Sequence, residues 1–247
     1  MSPRRFLVGD PANNRTSFYR ATTDSVYYER GVPFSPSPRS GTRSVCVIGD
    51  RLFARELRDG WLVHELTEAG EIENSFESAD QMSLENFQAA PDLLRTLVNA
   101  GMLTCIPDRQ LIISASRYLP YVKAYTSEGE LVWDTELSDF RPLGFEPASR
   151  GGFTYEFDPE GTYIGVSVTQ WNRDAVLVQY SVHIEPAPPT DRDFYAIHSR
   201  VLSMTTGEEL DRNDALPLIS DVDENGTYYS FQNLPYPQVH LLRRTEN

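Results

Sequence analysis

The sequence predicts an all-β protein built as a β-propeller of four-stranded antiparallel blades. A turn-and-strand phrase recurs along the chain, most clearly as FDPEGTYIGVS from Phe157 and VDENGTYYSFQ from Val222, with looser copies around Asp50 and Asp108. Short runs of β-branched and aromatic residues lie between turn formers, which is typical of antiparallel strands. Because a unit of about 50 to 65 residues cannot bury its own apolar faces, like units must pack against each other, as blades do.

Each unit is predicted to contain four strands, named A to D from the inside of the ring outward. Strand A leads into the acidic turn in four units, at Ser44–Gly49, Met102–Pro107, Phe153–Asp158 and Leu218–Asp223. Strand B follows that turn, and a polar or aromatic loop joins B to C. A glycine turn then starts strand D, within EAGEI from Glu68, SEGEL from Ser127 and TTGEE from Thr205. Glycine supplies the positive φ that tight hairpins need.

The two ends of the chain are predicted to be incomplete blades. The first unit supplies B (Phe6–Gly9), C and D, and the last supplies A, B and C (Gln238–Arg244). About five blades are therefore represented in a single domain, 1–247. A missing A and a missing D do not combine into one blade, so we hypothesise that Met1 is not the start of the ancestral domain. A five-bladed ring with ragged edges, or closure by another chain, is the alternative.

Composition excludes some partners. The chain has 22 basic and 36 acidic residues, a formal charge of −14, which repels phosphate backbones and disfavours nucleic acid as a partner. No apolar run approaches the length of a membrane span. The opening MSPRRFLVGD lacks an apolar stretch of signal-peptide length, which taken literally predicts a cytoplasmic protein.

The two cysteines are predicted to be buried reduced thiols. Cys46 precedes its turn aspartate by four residues and Cys105 by three. Successive residues of a strand point to opposite faces of the sheet. This opposite parity argues against a disulfide between them.

The loops between strands B and C are the predicted binding surface, because they share one face around the central channel and function concentrates in loops. Arginine, tryptophan and tyrosine are the residues that dominate binding hot spots. Arginine in four of five loops of an acidic protein indicates an anionic or glycan-like ligand. The alternative is that these residues only close turns and cover sheet ends. The candidates are Arg15, Arg58, Trp61, Arg117, Tyr118, Trp171, Asn172, Arg173, Asn233 and Tyr236.

Two stretches resemble a known family. FLVGDPANNRTSFYRAT from Phe6 is similar to the strand, Asp, Asn-Asn-Arg, strand phrase of propellers related to NHL repeats. YVKAYTSEGELVWDTEL from Tyr121 resembles their glycine-turn hairpin. The chain thus resembles the bacterial six-bladed β-propeller proteins. That resemblance implies binding of ligands or partner proteins, and a periplasmic or cell-surface location, from which the missing export signal departs.

Metal chemistry has weak candidates. Asp221, Asp223 and Asn225 match the start of a calcium loop, D-x-D-x-N-G, but Gln232 replaces the bidentate glutamate and strands replace the flanking helices. A hairpin turn explains this motif better. Glu156 and Asp221, both predicted in strand A, are the residues that could hold a divalent ion in the channel.

The sequence therefore predicts a non-enzymatic binding module without a cofactor, whose partner is a protein, a small molecule or a glycan. The rival is a metal-dependent propeller hydrolase, lactonase or lyase with its site in the channel. A non-functional remnant is a third possibility, in which replacing Trp171 or Arg173 changes only stability.

Overall fold

The computed structural model describes residues 4–10, 15–33, 44–79, 96–147, 153–156, 158–183, 196–222, 226–232 and 238–243. These contain a helical turn at 96–98, a 3-10 turn at Pro107–Arg109, and twenty strands. The strands are β1 (Arg4–Asp10), β2 (Arg15–Ala21), β3 (Val26–Pro33), β4 (Ser44–Ile48), β5 (Arg51–Arg58), β6 (Trp61–Leu66), β7 (Ile72–Ser78), β8 (Gly101–Ile106), β9 (Leu111–Ser116), β10 (Tyr121–Thr126), β11 (Leu131–Glu136), β12 (Gly144–Pro147), β13 (Phe153–Glu156), β14 (Thr162–Asn172), β15 (Ala175–His183), β16 (Ile197–Ser203), β17 (Glu209–Arg212), β18 (Asp221–Val222), β19 (Thr227–Gln232) and β20 (Gln238–Arg243).

Five antiparallel sheets form the five blades of a propeller. Blade 1 is β1–β3, blade 2 is β4–β7, blade 3 is β8–β11, blade 4 is β14–β17 and blade 5 is β18–β20, while β12 and β13 form a separate hairpin. The first strands of blades 2 to 5 pack side by side in that order, as inner strands do. The predicted fold class is confirmed: the molecule is an all-β propeller with five blades, of which the first and last have three strands each.

The packing between blades shows which strands the terminal blades lack. Outer-strand Phe76 of blade 2 contacts Tyr125 of blade 3, with ring centroids 5.2 Å apart, and outer-strand Trp133 donates to the Met204 carbonyl of blade 4 at 2.9 Å. Val32 of β3 shares a core cluster with Leu66 of blade 2 in the same manner, which identifies β3 as the outer strand, D, of blade 1. Among the described residues, blade 1 therefore consists of strands B, C and D, and blade 5 of A, B and C.

The predicted strand assignment of blade 4 is wrong. Strand A is β14, which is the innermost strand of that sheet, whereas Phe153–Glu156 pairs with β12 outside the blade. The acidic phrase at Asp158 thus enters strand A, but its copy in blade 5 enters strand B. Its geometry is local: the Glu160 amide donates to Asp158 Oδ1 at 2.8 Å, and the Asp158 amide donates to Thr162 Oγ1 at 3.1 Å. Such an Asx turn can precede any strand, so it does not report position in the blade.

The apolar core lies between blades rather than within them. Four clusters of buried residues each join two neighbouring blades, from blades 1 and 2 to blades 4 and 5. Alternating strand residues therefore point to the front or the back of a blade, and each front packs on the next back.

Cys46 and Cys105 form a disulfide, so the prediction of reduced thiols is wrong. Cys46 lies on β4 and Cys105 on β8, with their Cα atoms 5.5 Å apart. The parity argument compares faces within one sheet, but these two strands belong to stacked sheets. Because the front of blade 2 meets the back of blade 3, opposite parity is what brings the two sulfur atoms together.

Candidate functional site

The strand order sorts the loops between the two ends of the ring. Since successive strands are antiparallel, A–B and C–D turns lie at one end, and B–C loops with D–A connections lie at the other, which we call the B–C end. The hairpin between β5 and β6 and the loop between β9 and β10 place Arg58, Trp61, Arg117 and Tyr118 at the B–C end, and β2 begins there with Arg15. Asn233 and Tyr236 lie outside the described residues.

Trp171, Asn172 and Arg173 do not lie at the B–C end. They belong to the end of β14 and the turn into β15, which is an A–B turn. Trp171 stacks on Tyr228 of blade 5 with ring centroids 4.5 Å apart, and the Tyr228 hydroxyl donates to the Trp171 carbonyl at 2.9 Å. The prediction that these three residues form a B–C loop is wrong, and Trp171 instead packs blade 4 against blade 5.

A two-residue hairpin positions Arg58 beside Trp61. Asp59 has φ 51° and Gly60 has φ 85°, and Arg58 pairs directly with Trp61 across the turn. Asp-Gly is the favoured sequence for such turns, because both positions need positive φ. Trp61 is 43% exposed although it is a large apolar side chain. The hairpin therefore holds an aromatic ring and a guanidinium at the rim of blade 2.

A depression of about 500 Å³ lies next to this hairpin. Its floor includes His64, which is only 1% exposed. His64 Nε2 lies 3.1 Å from the Glu56 carbonyl oxygen, and Nδ1 lies 2.8 Å from Ser75 Oγ. Because a carbonyl can only accept, we assign the proton to Nε2, and Nδ1 accepts from the Ser75 hydroxyl. The lining residues are Arg58, Asp59, Trp61, His64, Gly70, Glu71, Ile72 and Ser75.

The charge of the lining favours a neutral ligand. Burial lowers the pKa of His64 below its ordinary value, so the imidazole is neutral at neutral pH. Among the lining residues that the structure describes, Arg58 is then the one cation, against the two carboxylates of Asp59 and Glu71. An anionic ligand, which the loop arginines indicated from the sequence, would meet a net negative charge on these described residues. Hydroxyl groups can instead both donate to the carboxylates and accept from Arg58.

Acidification from pH 7.5 to 5.0 is expected to destabilise the protein through His64. Its folded pKa lies below the unfolded value near 6.5, so the unfolded chain binds the proton first and stability falls as the pH drops through that range. The melting temperature of H64Q should fall less over this range than that of the wild type. H240Q, at a mostly exposed strand position, should behave as the wild type does. Equal pH dependence in all three proteins would contradict the assignment.

Arg117 and Tyr118 lie at the B–C end but do not line the depression. The Arg117 guanidinium carbon lies 5.7 Å from the centre of the Tyr118 ring. The Arg117 amide donates to the Ala100 carbonyl, and its own carbonyl accepts from the Gly165 amide, both at 2.8 Å. This residue therefore fixes the loop against blade 4. Of the predicted candidates, the structure brings Arg58 and Trp61 together in one site.

Buried charges form two inter-blade clusters that the sequence did not reveal. Arg55, 3% exposed, approaches Glu77 Oε1 at 3.4 Å and donates to the Asn99 carbonyl at 3.2 Å. Arg200, 2% exposed, contacts Asp139 and donates to Asp214 at 3.0 Å. Burial alone would raise the pKa of Asp139, but the hydrogen bond and charge of Arg200 outweigh it, so the pKa is lowered. The partners are too far apart in sequence for spacing to show them.

The predicted metal ligands do not converge. Asp221 is exposed on β18, Glu156 is exposed in the β12–β13 hairpin rather than in strand A, and Asp223 and Asn225 lie outside the described residues. Within the part of the chain that the structure describes, no three histidine, cysteine, aspartate or glutamate side chains are grouped as metal ligands.

No helix among the described residues has the length and apolar character to cross a membrane.

No protein-family model matches the chain, and no curated protein sequence matches it. Among solved structures, a DUF4221 family member from Bacteroides vulgatus is similar, with 8% identity and a TM-score of 0.34 over 99% of this chain and 94% of that one. BamB from Moraxella catarrhalis is similar with 11% identity and a TM-score of 0.33, over 95% of this chain and 78% of that one. At TM-scores this low, neither similarity informs the function.

Proposed function

We propose that this propeller is a binding module that takes a neutral, polyhydroxylated ligand such as a short glycan in the depression of blade 2. The observation that carries the proposal is the exposed Trp61 ring, held beside Arg58 by a rigid two-residue hairpin. A volume of about 500 Å³ lies in the range of small-ligand sites, roughly 300–1,000 Å³. It is too small to receive a folded protein partner.

Recognition in this proposal combines one apolar surface with several polar groups. The Trp61 ring offers a flat face for the C–H side of a sugar, which aromatic rings contact favourably. Arg58, Asp59 and Glu71 offer donors and acceptors for hydroxyl groups around that ring. Because the hairpin is already fixed, binding costs little ordering of the protein.

Replacing Trp61 by alanine is expected to lower affinity for the matching oligosaccharide roughly 100-fold, as for hot-spot aromatic residues. Isothermal titration calorimetry measures the affinity of both proteins, because W61A lacks the 43% exposed indole through which fluorescence would report binding. The probes are neutral gluco- and N-acetylgluco-oligosaccharides, compared with oligogalacturonides for charge.

L131A is the matched control, since Leu131 is a 56% exposed apolar residue on an outer strand of blade 3. It should bind as the wild type does. Binding of oligogalacturonides in preference to neutral sugars would refute a neutral ligand, and equal affinity of W61A and wild type would refute the site.

The disulfide supports a location outside the reducing cytoplasm, since such bonds persist in oxidising compartments. We therefore propose that the ligand is met in the periplasm or at the cell surface. Trapping free thiols in cells before lysis tests this: Cys46 and Cys105 should resist alkylation, and their modification would contradict it.

A further inference from the structure

The depression of blade 2 contains a serine hydroxyl that is hydrogen-bonded to a histidine. Ser75 Oγ lies 2.8 Å from His64 Nδ1, and both residues line the depression. They are directly opposite each other on β7 and β6, so the strand register holds the two side chains on one face of the sheet. The hydroxyl of Ser75 donates and the imidazole of His64 accepts. A nucleophile beside its general base has this arrangement.

A third group orients the base. The Glu56 carbonyl oxygen, 3.1 Å from His64 Nε2, accepts the Nε2 proton and thereby keeps Nδ1 in its accepting form. Burial lowers the pKa of His64, so the imidazole is neutral at neutral pH and can take up a proton. The same carbonyl then stabilises the imidazolium, which is the role of the aspartate in a catalytic triad.

Access and charge distinguish this pair from a hydrogen bond that only satisfies a buried histidine. Ser75 is partly exposed and borders the depression, so a bound molecule can reach its hydroxyl. The Ser75 amide donates to Asn74 Oδ1 at 2.8 Å, which fixes the backbone at the nucleophile. Arg58 lines the same depression, and its cation can stabilise the negative charge that develops on an attacked carbonyl oxygen.

We infer that Ser75 and His64 form an esterase dyad, which removes a small O-acyl group from a molecule bound in this depression. The choice of an acylated sugar as substrate rests on the proposed function, whereas the dyad itself does not. Ser75 Oγ attacks the acyl carbonyl carbon and passes its proton to His64 Nδ1. The ester C–O bond then breaks, and the leaving alcohol oxygen takes that proton.

Water completes the reaction. A water molecule attacks the acyl-serine and gives a proton to His64, which returns it to Ser75 Oγ as the carboxylic acid leaves. One ester and one water thus become one alcohol and one carboxylic acid, and both residues are regenerated.

A fluorophosphonate probe tests the nucleophile. It should phosphonylate Ser75 of the wild type with loss of fluoride, and peptide mass spectrometry locates the adduct. H64Q should slow this labelling roughly 100-fold, since a general base contributes roughly 10²–10⁴-fold. S75A should carry no adduct at that position. S78A is the matched control, because Ser78 is exposed on the same strand, and it should be labelled on Ser75 at the wild-type rate. Because the adduct is mapped on the wild type, the test does not depend on the folding of a variant.

Release of acetate from O-acetylated gluco-oligosaccharides tests the reaction. The wild type should release acetate, and S75A should lower the rate roughly 100-fold or more. An unlabelled Ser75 in the wild type, H64Q labelling at the wild-type rate, or equal acetate release by S75A and wild type would each overturn the inference. The probe carries no sugar. Labelling of Ser75 in a protein that binds no oligosaccharide would therefore refute the proposed glycan and support the dyad, and oligosaccharide binding without labelling would refute the dyad alone.

Discussion

Replacing both Cys46 and Cys105 by serine is expected to lower the free energy of unfolding by about 3–4 kcal/mol. The disulfide closes a loop with a sequence separation of 59, and a cross-link of that length removes much conformational freedom from the unfolded chain. It also joins inner strands of blades 2 and 3, which meet only through side chains. Loss of the bond should therefore weaken a blade interface and not a single sheet.

Thermal unfolding with and without reductant measures this effect. The wild type should lose about 10 °C of melting temperature in reductant, as that free energy implies for a domain of this size. The double-serine variant should melt at the temperature of the reduced wild type, and its melting temperature should not change when reductant is added. A wild type that melts at one temperature under both conditions would refute the disulfide.

Replacing Glu77 by glutamine is expected to destabilise the protein by about 3 kcal/mol. The substitution removes the counter-charge of Arg55, and an uncompensated buried charge costs about 3–5 kcal/mol. Arg55 and Glu77 have side chains only 3% and 5% exposed. Little solvent can screen the guanidinium, which lies so close to β8 that a Cβ on Gly101 would stand 2.4 Å from its Nε. The backbone of Glu77 is also in the left-handed region, at φ 60°.

Urea unfolding of a double-mutant cycle measures the pair. R55M with E77L should be more stable than either single variant, because an apolar pair leaves no charge buried alone. E128Q is the control: Glu128 pairs with Arg51, but its side chain is 67% exposed. Its unfolding midpoint should stay close to that of the wild type. An E77Q midpoint equal to that of E128Q would show that Arg55 has another counter-charge.

The sequence predicted the features that depend on neighbours along the chain. The propeller and its incomplete terminal blades were predicted from alternating apolar residues and from glycine turns such as Gly70 and Gly129. The Asp59–Gly60 dipeptide forms its turn because both residues accept positive φ. The side-by-side placement of Arg58 and Trp61 therefore follows from the sequence of residues 58–61 alone. That part of the candidate site needed no tertiary information.

Only the tertiary structure decided what depends on one blade facing another. The Asp158 turn repeats the Asp223 turn in sequence, but its position next to strand A was set by the packing of β14 on β8. Cys46 and Cys105 meet because the front of blade 2 stacks on the back of blade 3. Arg55 and Glu77 both belong to blade 2 and meet across the intervening strand β6. Side-chain alternation records which residues share a face of one strand. It does not record which face of the next sheet they will meet, because that depends on how the ring stacks.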